Sequence, residues 1–62
     1  MSYTIWELRT AQGLTLWELE ELSGVSKTEI NNIENGKANP TIATLQLLAA
    51  GLQVELAELL RV

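Results

Sequence analysis

The stretch TLWELEELSGVSKTEINNIENGK, residues 15–37, decides the fold. It opens on Thr15 with Glu18 three positions later, and the same pattern returns at Ser26 with Glu29. A hydroxyl residue followed at that distance by Glu is a capping box: the hydroxyl accepts from a first-turn amide while the carboxylate reaches back to the cap residue's own N–H. Two helices therefore start here, and Thr4 with Glu7 marks a third start upstream. Behind these caps, Ile5 and Leu8, Leu19 and Leu22, and Ile30 and Ile33 recur at spacing three, each pair predicting a narrow apolar stripe. Gly13 and Gly24 fall where the first and second helices must end, which predicts tight turns at both junctions.

Working outward, Glu34-Asn35-Gly36-Lys37-Ala38-Asn39-Pro40 is polar and carries Asn-Gly and Asn-Pro, so the third helix should stop near Glu34 and a loop should follow. Thr41 can cap a fourth helix whose apolar face is Ile42, Leu45, Leu48, Ala49 and Leu52, and Leu56, Leu59 and Leu60 mark a short fifth. The expectation is an all-α, compact five-helix domain spanning residues 1–62, with its helix-turn-helix at about residues 15–34.

Composition narrows the function. A chain of 62 residues holds one small core and has no room for a cofactor-binding fold. It has no Cys and no His, which removes disulfides, thiolate and imidazole metal ligands and the commonest acid-base catalyst. No nucleophile-base pair or glycine-rich phosphate loop is present either, so the expectation is a protein that is not an enzyme and takes no cofactor or metal. No stretch approaches the ~20 apolar residues of a membrane span, and the N-terminus has no basic segment followed by an apolar run, so a cytoplasmic protein is expected. The net charge of -4, from eight acids and four bases, runs against nucleic-acid binding, which draws on clustered Lys and Arg.

Pattern points the other way. Leu8-Arg9, Gly13-Leu14, Leu19, Leu22-Ser23-Gly24-Val25-Ser26, Ile30, Ile33-Glu34-Asn35-Gly36-Lys37 and Asn39-Pro40 resemble the Cro-like, phage-repressor helix-turn-helix regulators over almost the whole chain. The resemblance implies a lambda-repressor-like fold with its third helix in the major groove of double-stranded DNA. It implies Lys27, Thr28, Asn31 and Asn32 as base readers, the side chains that can address guanine, thymine and adenine edges. Ser26, Asn35 and Lys37, with nearby backbone amides, would meet phosphates, and Arg9 and Glu34 would form a structural ion pair. Such domains usually act as two-fold dimers on palindromic sites, so a homodimer is implied.

The chain departs from that pattern at four positions. Leu16 stands where the family often has a phosphate-contacting Gln, and Glu20 replaces a small residue that lets the motif helices approach. Glu29 lies near the DNA side, where either a capping role or repulsion of phosphate is open, and Ala38 replaces a frequent basic residue. Leu16-Trp17 reads as an exposed apolar pair, a protein partner's contact or a tryptophan folded back on its own helix. Trp6 is expected in the core against the C-terminal helix. Val54, Leu56, Leu60 and Val62 are either a self-association surface or the cover of the core. Two functions follow: a sequence-specific DNA-binding regulator acting as a repressor, or a protein-interaction module on the same scaffold.

Overall fold

Thr15 begins its helix as a full capping box: its Oγ1 accepts from the Glu18 amide at 3.1 Å, and its own amide donates to Glu18 Oε1 at 2.8 Å. Ser26 and Thr41 repeat the forward half, accepting from the amides of Glu29 and Thr44, each at 3.1 Å. From these starts the computed structural model, which describes residues 5–59, builds α1 (Ile5–Ala11), α2 (Leu16–Ser23), α3 (Lys27–Glu34), α4 (Ile42–Leu52) and α5 (Leu56–Leu59). No strand forms among the described residues. Thr4, the expected cap of α1, lies outside them, as do Leu60 and Val62.

The ends of α1, α3 and α4 are closed by hydrogen-bonded caps of one kind. In each, one amide reaches back six residues inclusive and the preceding amide closes the smaller ring inside it. The pairs are Leu14 N to Arg9 O with Gly13 N to Thr10 O, Lys37 N to Asn32 O with Gly36 N to Ile33 O, and Val54 N to Ala49 O with Gln53 N to Ala50 O. The last cap puts a non-glycine residue, Gln53, at φ 59°. The Gln12 side-chain amide also donates to Leu52 O at 2.7 Å, tying the exit of α1 to the end of α4.

The core is one cluster: Ile5, Leu19, Val25, Ile30, Ile33, Leu45, Leu48, Ala49, Leu52 and Leu59. Helix α4 is central, packing on α1, α2 and α5, while α2 also packs on α3. The expected stripes need three corrections. Leu22 is 58% exposed, and Ser23 takes the inward position instead at 6%. The inward line of α2 runs through Leu16, Leu19 and Ser23, at spacings of three and then four, which a pure spacing-three reading misses. Gly51 of α4 explains why that position is small, since a Cβ there would stand 2.9 Å from Ser23 Cβ. Trp6 is 54% exposed rather than buried, because its neighbour Ile5 holds the inward position on α1. Ile42, the first residue of α4, is exposed as well, outside the Leu45–Leu52 face.

Candidate nucleic-acid interface

The turn between α2 and α3 is fixed by Ser23 and Gly24. The Ser23 hydroxyl donates to Leu19 O at 2.7 Å and accepts from the Val25 amide at 3.1 Å, which satisfies a buried group and folds the chain back at once. Gly24 sits at φ 79° and donates to Glu20 O at 2.8 Å; a side chain would be strained in that conformation. Val25 then drops into the core and Ser26 caps α3.

Ile30 and Ile33 anchor α3 from one side with no exposed surface. At 100° per residue, Lys27, Thr28, Asn31 and Asn32 share the opposite side. Thr28 and Asn31 are exposed, while Lys27 and Asn32 are half-buried at the edges of that face. All four expected readers thus come together. Asn35 Nδ2 donates to Asn31 Oδ1 at 3.1 Å, joining an expected reader to a residue expected at phosphate. The Asn-to-Asn spacing of four within a helical run is the sequence signal that carries this pair.

The three residues expected at phosphates, Ser26, Asn35 and Lys37, are exposed at the two ends of α3, and one part of that expectation needs correction. Ser26 Oγ accepts from the Glu29 amide and keeps its own proton to donate. The side chains of Asn35 and Lys37 are exposed at the exit of α3. Their amides are unavailable to phosphate, because Asn35 N donates to Asn31 O, Gly36 N to Ile33 O and Lys37 N to Asn32 O in closing the helix. In the first turn, by contrast, the amides of Lys27 and Thr28 have no intrahelical acceptor.

Arg9 and Glu34 form the expected ion pair, and it is two-pronged: Nε to Oε2 at 2.7 Å and Nη2 to Oε1 at 3.1 Å. A third donor, Nη1, bonds Leu14 O at 2.8 Å. The side chains are only 12% and 5% exposed, so the pair holds α1, the loop after it and the end of α3 as one piece. With Arg9 engaged there and Arg61 outside the described residues, Lys27 and Lys37 are the cations that the face of α3 and its exit can offer.

The four departures resolve individually. Leu16 is half-buried against the core, three residues before Leu19 and on its face, so the expected Leu16-Trp17 exposed pair reduces to Trp17, which is 66% exposed. Glu20 is half-buried, and no buried side-chain oxygen among the described residues lacks a partner, so its carboxylate reaches solvent. Glu29 contributes its amide to the Ser26 cap but no return bond from its carboxylate, unlike Glu18; its exposed charge flanks the reading face beside Asn32. Ala38 packs against the core. Val54 and Leu56 do so too, half-buried. Two features escaped the sequence: the Ser23 hydroxyl bridge, and the placement of Lys27 Nζ 5.3 Å from the centre of the Trp17 ring.

Comparison with known proteins agrees with this geometry. Residues 7–59 match the family model HTH_3, described as helix-turn-helix. Among solved structures, the restriction-modification controller protein C.AhdI from Aeromonas hydrophila superposes with a TM-score of 0.86 at 36% identity, over 89% of this chain and 83% of that one. An HTH_3 family transcriptional regulator from Vibrio cholerae gives a TM-score of 0.88 at 39% identity, over 90% of this chain and 32% of that one, so this chain spans about a third of that protein. No curated protein matches. The chain belongs to the HTH_3 helix-turn-helix family of DNA-binding transcriptional regulators.

Proposed function

We propose that this chain is a small sequence-specific regulator, a cytoplasmic repressor, that binds palindromic operator DNA as a homodimer and reads each half-site with the first half of α3. The observation that carries the reading is the shared outward face of Lys27, Thr28, Asn31 and Asn32, backed by Ile30 and Ile33 and framed by the exposed side chains of Ser26, Asn35 and Lys37. Asn suits adenine, Lys suits guanine, and Thr can donate, accept or touch a thymine methyl. The similarity to a controller protein and to a transcriptional regulator supports the same role. Two copies would meet half-sites about one DNA turn apart. Part of Val54 and Leu56 remains uncovered, and with Leu60 and Val62 these residues are the proposed contact between copies.

The test is fluorescence anisotropy with a duplex recovered from random-site selection, at two salt concentrations. Binding should be saturable, and Asn32→Ala should weaken it by ~1 to 3 kcal/mol at the selected site while leaving random duplex untouched. With Lys27 and Lys37 as the cations at the face, the slope of log affinity against log salt should be shallow, about -4 or less in magnitude for a dimer. Equal binding of all sequences by parent and variant would contradict base reading.

A second reading is favoured by one feature. Leu14, Trp17 and Leu22 line a shallow apolar depression rimmed by Glu18 and Glu21, on the outer side of α2. An interaction module using it would give no salt-sensitive DNA binding at all.

A further inference from the structure

Trp17 is the most exposed large apolar side chain among the described residues, and it lies in the first turn of α2, where the core makes no use of it. Its ring faces a charge. Lys27 Nζ stands 5.3 Å from the ring centre, within the ~6 Å over which an aromatic quadrupole attracts an ammonium group. Lys27 is the first residue of α3 and is half-buried, whereas Thr28, next in the chain, is exposed. A lysine otherwise carries its charge on a flexible four-carbon stem with many rotamers, and holding it in one place removes an ordering cost from any later contact.

We propose that Trp17 is a positioning residue for Lys27: the indole face holds the ammonium at the corner of the reading surface, so that the Lys27 contact to a guanine edge is ordered before DNA arrives. This rests on the DNA-reading function above and adds a specificity determinant outside α3. The turn at Ser23–Ser26 makes it possible, because it brings the first turn of α2 beside the first turn of α3. The N3 residue of α2 could not replace Trp17, since the Glu18 carboxylate is committed to the Thr15 amide. Asn31 draws on a different support, the bond from Asn35. The proposal therefore concerns one base pair of each half-site and leaves the rest of the sequence preference unchanged.

The experiment has a part without DNA and a part with it. In the free protein, the Lys27 side-chain protons should be shifted upfield by the ring relative to those of Lys37, and Trp17→Ala should abolish the difference. Equal shifts for the two lysines in the parent overturn the proposal whatever the protein binds. With the selected duplex, Trp17→Ala should weaken binding about two- to fivefold, Trp17→Phe should restore most of the loss, and Trp17→Ala should add nothing once Lys27 is Ala. On a duplex with the guanine replaced, parent and Trp17→Ala should bind alike. Additive losses, or parent-like binding by Trp17→Ala while Lys27→Ala binds weakly, would overturn the proposal and leave base reading by α3 intact. Failure of the parent to bind any duplex is a separate result, which removes the function on which the proposal rests. Trp17 lies outside the core, so far-UV circular dichroism should report an unchanged fold in each variant.

Discussion

Arg9 and Glu34 show how one largely buried contact fixes α3 to the rest of the domain. The two-pronged pair spans α1 and the last residue of α3, and the third bond to Leu14 O fixes the loop between α1 and α2. Burying either charge alone is expensive, so the pair matters less as a source of net stability than as a constraint that neither member can leave. Glu34→Leu should therefore destabilise the domain by on the order of 3 kcal/mol, because it strands a mostly buried guanidinium. Adding Arg9→Met should recover most of that loss, leaving a deficit of about 1 kcal/mol for the Leu14 carbonyl. Urea unfolding of the single and double variants checks this, and a double variant as unstable as the sum of its parts would refute it. Glu29 shows the opposite case: an exposed carboxylate beside the candidate face, with no return bond to the cap of α3.

Helix ends were legible because their chemistry is local. Thr15, Ser26 and Thr41 cap as their hydroxyls dictate, and Gly13 and Gly24 close their helices where a left-handed residue is needed. Helix faces were less legible. Helical periodicity admits both Leu22, three residues on, and Ser23, four on, as the successor to Leu19, and only the approach of Gly51 from α4 decides for the small residue. That contact joins residues far apart in the chain, so no window around either one contains it. Gln53 was hidden for a different reason, since a non-glycine residue in the left-handed cap carries no compositional mark. It costs about 1 kcal/mol against glycine at that position. Gln53→Gly should raise the melting temperature by roughly 4–8 °C for a domain of this size, as read by thermal circular dichroism, and a fall would contradict the cap geometry. At the candidate interface, the expected reader positions rest on family resemblance, whereas the Trp17–Lys27 pairing needed the angle between α2 and α3, which no single-helix pattern contains.

The Cα trace of the described residues measures 23 × 22 × 20 Å, nearly isotropic, with α4 at its centre and α3 on its rim. An acidic whole and the proposed DNA-facing side are compatible because most of the exposed acid stands away from α3. Glu7, Glu18 and Glu21 are exposed on α1 and α2 and Glu55 between α4 and α5, while Lys27 opens α3 and Lys37 follows its exit, with the exposed Glu29 as the acid between them. On the proposed reading, such a surface would attract DNA weakly at long range and leave selectivity to short contacts, with base edges more decisive than phosphates. The most direct test is to titrate the isotope-labelled protein with the selected duplex and follow its backbone amide resonances. If the first half of α3 reads DNA, the largest shifts should fall on residues 26–32 and 35–37, with α5 and the outer face of α4 nearly unmoved. Shifts concentrated at Leu14, Glu21 and Leu22 instead, or spread evenly over the chain, would contradict recognition through α3.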